Sequence, residues 1–270
     1  MAPLRKLKQF TRKAHDFLTN DIDDSPLPEA FAKSIENPSG VIEHIDALRK
    51  HLVRSVLYLI FSTAGSFIFI TPILEFLTRP LKGGLGSLQA IDVTEGVGTV
   101  MRVALLSGFA IALPFIAFEI WLFVAEGLKP GARIFSLFSI PIAALFFLGG
   151  MSFAYYALLP TALPFLLNFM GISTIPRPNS YFPFVTNLLF WMGISFEFPL
   201  VIFILARIGI VSHRDLIAQW RFAIVIIAVL SAAITTTTDP ANMALVMLPM
   251  SILYFISIGL AFIANKSQIK

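Results

Sequence analysis

Six apolar runs between residues 53 and 264 constrain this chain more than any other feature of its sequence. A helix needs about 20 apolar residues to cross the hydrocarbon core of a bilayer. The runs therefore predict an all-α integral membrane protein with six transmembrane helices. The runs are Val53–Pro72, Met101–Val124, Ile134–Leu159, Phe184–Ala206, Phe222–Thr235 and Met243–Ala264. The fifth run is the shortest, so we expect it to span only with local thinning of the bilayer or with support from neighbouring helices.

The composition excludes a water-soluble domain of this size. Hydrophobic residues make up 57% of the 270 residues and charged residues only 13%. Soluble domains have about 45–50% apolar and about 25% charged residues. Because a single water-soluble core cannot hide so many apolar side chains, the composition agrees with a body embedded in lipid.

Prolines lie inside four of the runs, at Pro114, Pro141, Pro199 and Pro249. A proline inside a helix removes one backbone hydrogen bond, and neighbouring helices in a membrane bundle can compensate for the loss. We therefore expect several helices to be bent at proline and to form a cupped bundle.

The positive charges are distributed unevenly about the six runs. Because the number of spans is even, both termini lie on one side of the membrane. That side carries 16 of the 20 Lys and Arg residues. The positive-inside rule then predicts that both termini are cytoplasmic. On the same side, apolar and basic residues alternate near the amino terminus with helical spacing, which indicates either an amphipathic helix on the membrane surface or a solvated tail.

Acidic residues near the runs are candidates for function, because ionisable groups at membrane depth are costly. Glu197 lies past the middle of the fourth run, where it could contact a partner helix or a hydrated region. Alternatively, it could be a neutral acid bonded to carbonyls that Pro199 leaves free. Glu119 lies near the cytoplasmic end of the second run and could simply reach the interface. Glu95 and Asp239 lie in connections on the opposite side, where Asp239 could cap the last helix.

An ordered series of short motifs resembles the TatC family, the polytopic subunit of the twin-arginine protein translocase. The stretch from Glu43 to Leu52 is similar to the His-x-x-Glu-Leu-Arg motif that opens that family. The similarity continues through Pro80-Leu81, Thr94-Glu95, Arg102, residues 114–128, residues 150–156, residues 195–199, Asp239 and Pro249. It covers roughly 43–264, so we expect an amino-terminal extension over 1–42, a six-span TatC-like domain over 43–264 and a tail over 265–270.

The resemblance implies a receptor subunit that moves folded proteins across an energy-transducing membrane, driven by the protonmotive force. Such proteins bind twin-arginine signal peptides on the cytoplasmic face and associate, as oligomers, with single-span partners of the TatA/TatB type. By this carry-over Phe123 lines the signal-peptide site and Glu197 meets a partner's transmembrane helix. Pro80, Glu95 and Asp239 belong to the opposite face. The membrane expected is the plasma membrane of a prokaryote.

The chain departs from the family pattern where the signal arginines are held. The family usually has glutamate at the positions of Ala47 and Ala132, and proline at that of Glu126. One hypothesis is that Asp46 and Glu126 supply the displaced charge, with Glu119 and Arg49 beside them. Its rival is that the chain is a diverged paralogue with altered signal recognition. A one-residue shift on a helix rotates a side chain by about 100°, so Asp46 is not a simple replacement for glutamate at position 47.

Two other function classes fit the sequence less well. A small-solute or ion transporter is typically built from repeats with ionisable groups converging at the midplane, and this chain has one clear midplane acid and no repeat. A membrane enzyme needs clustered His, Asp or Glu, whereas His44, His51 and His213 fall in separate cytoplasmic segments, where a lone His is usually solvated. Cysteine is absent, so thiolate metal sites are excluded. We expect no catalysis, no cofactor and no nucleic-acid partner.

Overall fold

The computed structural model describes residues 38–125, 136–168, 174–235 and 240–266. All regular structure within these ranges is helical, which confirms the predicted all-α fold. The elements are α1 (Pro38–Ser66), a 3₁₀ turn (Phe67–Phe69), α2 (Ile70–Thr78), a 3₁₀ turn (Gly84–Ser87), α3 (Glu95–Ala125), α4 (Ser139–Phe153), a π-helical turn (Ala154–Leu158), α5 (Leu159–Leu167), α6 (Pro178–Ile208), α7 (His213–Ala218), α8 (Trp220–Thr235) and α9 (Pro240–Lys266). The surface helix considered near the amino terminus lies outside the described residues.

Five helical stretches are long and apolar enough to cross a membrane. They are Ile45–Thr78, Glu95–Ala125, Ser139–Leu167, Pro178–Ile208 and Pro240–Asn265. The remaining apolar helix, α8, has 16 residues and corresponds to the fifth and shortest run. The order and number of these helices agree with the six predicted spans.

The first span is longer than the apolar run predicted. A 3₁₀ turn interrupts it after Ser66, and α2 then continues to Thr78. Pro72 does not end the helix, because it lies in the first turn of α2, where a missing N–H leaves no bond unmade. The span therefore ends six residues beyond the proline at which the run was expected to stop.

Prolines inside the later helices do not end them either. Pro114 lies inside α3, Pro199 inside α6 and Pro249 inside α9. These helices are long and packed within a bundle, so the bond lost at one proline is a small part of their stability.

The chain forms two compact units. The first comprises Met1–Leu59 and Ala112–Ile142, and the second comprises Ile60–Ile111 and Ala143–Lys270. The second unit contains most of the fully buried large side chains, among them Phe147, Leu159, Phe182, Leu188 and Met192.

Two tyrosines hold the end of α2 inside the second unit. The Tyr155 hydroxyl donates to the Phe76 carbonyl at 2.6 Å, and the Tyr181 hydroxyl donates to the Leu77 carbonyl at 2.7 Å. Carbonyls in the last turn of a helix have no partner within the helix. The Tyr181 hydroxyl supplies a donor to the Leu77 carbonyl. The Tyr155 hydroxyl adds a second donor to the Phe76 carbonyl, which also accepts from the Arg79 N–H at 3.2 Å. The two hydroxyls thereby tie α2 to the π-helical turn and to α6.

Glycines bring α4 and α6 into backbone contact. A Cβ atom added at Gly150 would lie 2.5 Å from the Met192 carbonyl oxygen, and one added at Gly193 would lie 2.6 Å from the Phe147 ring. No side chain larger than a hydrogen atom fits at such distances. The contact lies one helical turn from Glu197 and so fixes the backbone that carries this acid.

Candidate functional site

Glu119 forms the centre of a polar site inside the first unit. Its side chain, on α3, is only 3% exposed. His51 Nδ1 lies 2.6 Å from Glu119 Oε2, and an Arg54 guanidinium nitrogen lies 3.7 Å from the same oxygen. His51 and Arg54 are three residues apart on α1, which places them on one face of that helix. The acid is thus buried and paired, rather than extended to the interface as the sequence had allowed.

Several aromatic residues lie close to Glu119 in the sequence of α3. Phe123 follows Glu119 by one turn of α3, and its ring lies edge-on to the His51 ring with centroids 6.4 Å apart. Phe118 stacks on Trp121 at 5.9 Å. The Trp121 indole N–H in turn donates to the Ser136 hydroxyl at 2.8 Å. We call His51, Arg54, Glu119 and Phe123 the Glu119 site.

The other residues predicted to bind a signal peptide do not contact Glu119 in the described part of the chain. Asp46 and Arg49 are exposed on α1, and among the described residues neither forms a hydrogen bond or ion pair with Glu119. Glu126 and Ala132 lie outside the described residues. Ala47 precedes His51 by one turn of α1, so position 47 faces the same side as the imidazole.

His51 and Arg54 were not predicted as site residues. The sequence interpretation treated His51 as a solvated interfacial histidine, and the structure contradicts it by pairing the ring with Glu119. A usable signal was present, because His51 follows the family's glutamate position by four residues. That spacing places both side chains on one helix face.

Glu197 carries an unsatisfied polar atom in the second unit. It is half-buried on α6, and its carboxyl group lies against the backbone of Phe147. Its Oε1 is buried and has no hydrogen-bond partner among the described residues. A buried acceptor without a donor costs about 1–3 kcal/mol. The side chain as a whole is only half-buried, so part of Glu197 remains accessible at the surface of the second unit.

The predicted residues of the opposite face fall in different surroundings. Glu95 is buried at the start of α3 and accepts a hydrogen bond from the Arg177 guanidinium, which precedes α6. Pro80 is half-buried directly after α2. Asp239 lies outside the described residues. Glu95 thus joins the first turn of one span to the entry of another, which indicates a structural contribution.

Comparisons with known proteins agree with these features. The sequence model of the family described as "Sec-independent protein translocase protein (TatC)" matches residues 43–249. The TatC protein of Carboxydothermus hydrogenoformans is 35% identical over 86% of this chain and 96% of its own length. The TatC protein of Deinococcus radiodurans is 34% identical over 87% of this chain and 88% of its own length.

A solved structure agrees as well. The crystal structure of the twin-arginine translocase receptor TatC superimposes with a TM-score of 0.70 at 29% identity, covering 82% of this chain and 99% of that one. Such neighbours have six spans, the number expected here. The family match, the relatives and the shared fold together show that this chain belongs to the TatC family and is a core subunit of a twin-arginine protein translocase in a membrane.

Proposed function

We propose that this chain is the receptor of its translocase and binds the arginines of a signal peptide at the Glu119 site. The observation that carries the proposal is the buried Glu119 carboxylate, which already lies in an ion pair with the Arg54 guanidinium at 3.7 Å. A carboxylate with two oxygens recognises guanidinium best in a bidentate arrangement. The site therefore has the chemistry that an arginine side chain needs.

The pair with Arg54 is weak enough to be exchanged. The Arg54 side chain is 55% exposed, and its separation from Glu119 is near the upper limit for an ion pair. Ion pairs with an exposed partner at such a separation are screened by solvent, and exposed pairs contribute about 0–1 kcal/mol. An arginine of the signal peptide that forms two short bonds would replace Arg54 at little cost.

Phe123 adds a second means of recognition. Its ring lies near His51 and one turn of α3 beyond Glu119. A guanidinium over an aromatic face gains about 0.5–2 kcal/mol. A bound arginine can therefore contact the carboxylate and the ring at the same time.

The second arginine of the signal needs a second acid. Asp46 is exposed on α1 and is free of the pairing that engages Glu119. Glu126, beyond the described end of α3, is the other candidate, with Arg49 as a neighbouring contact. In this proposal Glu119 binds one arginine and Asp46 or Glu126 binds the other, in place of the two glutamates that the family has at positions 47 and 132.

One observation favours altered recognition as a second candidate function. Glu119 lies within hydrogen-bond distance of His51 and within ion-pair distance of Arg54, both of the same unit. A site in which the acid is already matched by basic groups attracts a dicationic peptide less strongly. A diverged receptor would then prefer signals that carry fewer arginines.

Glu197 provides the contact for a partner helix. Its side chain is half-buried on a membrane-spanning helix, and its Oε1 has no donor among the described residues, at a depth where no water replaces a missing donor. A single-span partner of the TatA/TatB type with a polar side chain at the same depth would supply that donor. The excess of Lys and Arg at the two termini supports their cytoplasmic placement in a prokaryotic plasma membrane, with transport driven by the protonmotive force.

The binding proposal is tested with purified protein in lipid nanodiscs and a fluorescent signal peptide. We expect the twin-arginine peptide to bind at least tenfold more tightly than a twin-lysine peptide. Glu119→Gln should remove most of this preference, whereas Arg54→Gln should preserve or raise the affinity. Equal binding of the two peptides to wild type would favour the diverged receptor, and an unchanged preference in Glu119→Gln would refute the assignment of this site.

A further inference from the structure

An open cavity of about 360 Å³ lies in the second unit, beside the end of the first span. Phe76 and Arg79 line one side, and Tyr155, Tyr156 and Pro160 line another. The signal-binding proposal uses none of these residues. The cavity combines one cation and two phenol rings with otherwise apolar walls, a combination that suits an amphipathic ligand.

Arg79 is the charged group of this cavity. It is exposed, and its guanidinium lies 5.5 Å from the centre of the Phe76 ring. Glu75 precedes it by one helical turn, yet Arg79 forms no ion pair with any acid among the described residues. The cation therefore faces the cavity with its charge uncompensated.

The aromatic walls are held in place. The Phe76 and Tyr155 rings stack with centroids 4.4 Å apart and planes at 13°. Because the Tyr155 hydroxyl donates to the Phe76 carbonyl, the Tyr155 ring is held in its position and does not rotate into the cavity. Tyr156 is 70% exposed, and among the described residues its hydroxyl forms no hydrogen bond. The cavity thus keeps its shape and offers one available phenol donor.

A local change of helix type creates this arrangement. Tyr155 and Tyr156 belong to the π-helical turn Ala154–Leu158, which interrupts the third span between α4 and α5. Single π turns frequently occur at functional sites. Here the turn places two consecutive tyrosines at the cavity, one pointing to α2 and the other exposed.

Arg79 indicates the depth of the cavity in the membrane. It directly follows Thr78, the last residue of the first span, whereas the two tyrosines lie within the third span. Charged side chains near the end of a span reach the boundary between hydrocarbon and headgroups. A cation and a phenol donor at that depth meet phosphates, while apolar walls meet glycerol and the first methylene groups.

We infer that the cavity between Arg79 and Tyr156 binds the headgroup phosphate of an anionic phospholipid. Arg79 pairs with the phosphate, since guanidinium and phosphate oxygens match in geometry. The Tyr156 hydroxyl donates to the same group. Pro160 and the Phe76 ring pack against the apolar part of the lipid. The cavity shares no residue with the Glu119 site.

The inference is tested by native mass spectrometry of the detergent-purified chain with added phosphatidylglycerol or phosphatidylcholine. We expect retained phosphatidylglycerol adducts on wild type, at least threefold fewer adducts on Arg79→Gln, and a smaller loss on Tyr156→Phe. Lys82→Gln is the matched control, because Lys82 is an exposed cation of the same connection outside the cavity, and it should bind like wild type. Arg79→Lys keeps the charge and should retain part of the binding.

Two results would overturn the inference. One is equal adduct formation by wild type and Arg79→Gln, with both variants folded by circular dichroism. The other is full competition by inorganic phosphate at millimolar concentration, which would assign the cavity to a free anion rather than to a lipid. Persistence of the lipid adduct under that challenge is the expected result.

Discussion

His51 Nδ1 lies 2.6 Å from Glu119 Oε2, although the two residues are 68 positions apart in the chain. The contact joins α1 to α3 inside the first unit and satisfies an acid that is almost fully buried. It also determines how tightly the Glu119 carboxylate is held when another cation approaches. Several properties of the chain should therefore depend on this pair.

Replacing His51 should lower the stability of the first unit. His51→Ala leaves a buried carboxylate oxygen with only the distant Arg54, and such a loss costs about 1–3 kcal/mol. Thermal unfolding in detergent should show the lower stability. In a double-mutant cycle with Glu119→Gln we expect a coupling of about 1 kcal/mol or more. Strictly additive effects of the two substitutions would show that the hydrogen bond does not stabilise the fold.

Adjacent glycines of α4 should respond in opposite ways to the same substitution. Gly150→Ala places a Cβ atom 2.5 Å from the Met192 carbonyl oxygen, whereas Gly149→Ala meets nothing within 4 Å. Overpacking costs about 1–3 kcal/mol, while alanine in an open helix position stabilises by about 0.5–1 kcal/mol. Melting temperatures in detergent should therefore fall for Gly150→Ala and stay level or rise for Gly149→Ala. Equal shifts for the two variants would contradict the backbone contact with α6.

Replacing Glu197 with leucine should raise the stability of the chain and weaken its binding to a partner helix. The Oε1 atom has no hydrogen-bond partner in the part of the chain that the structure describes, so Glu197→Leu should raise the free energy of unfolding by about 1 kcal/mol. The same change removes the polar contact proposed for a single-span partner. We expect a higher melting temperature together with weaker co-purification of that partner. A variant that is less stable yet keeps its partner would argue for a purely structural acid.

Breaking the ion pair between Glu95 and Arg177 should destabilise the second unit. Glu95 is buried, and its bond to Arg177 is charge-assisted, but the arginine is 43% exposed. We therefore expect Glu95→Gln to cost about 1–3 kcal/mol, below the value for a fully buried pair. Arg102→Gln, which removes an exposed cation from the same helix, is the control and should melt like wild type. Equal melting temperatures for Glu95→Gln and Arg102→Gln would contradict this assignment.

Hydropathy sufficed to predict the helices, whereas their ends required the structure. In a bilayer a spanning segment must satisfy its own backbone hydrogen bonds, which an α-helix does. Each apolar run between Val53 and Ala264 is accordingly helical where the structure describes it. The first span nevertheless passes Pro72, because a 3₁₀ turn restarts the helix there. The hydropathy of a segment does not show where its helix is interrupted and begins again.

The candidate site could be predicted only in part. Glu119 and Glu197 stood out because an acid in an apolar run is costly. The partners of Glu119 did not stand out, since the contact of His51 with it depends on how α1 packs against α3. Asp46 remains a prediction based on its position beside Ala47, and the structure leaves it exposed on α1.

The glycine contact between α4 and α6 limits how a passage for folded cargo can open. The carbonyl of Met192 and the ring of Phe147 already occupy the space that any inserted group would need. A cargo segment could enter between these helices only if their backbones separated. These two helices should therefore move together as one rigid pair.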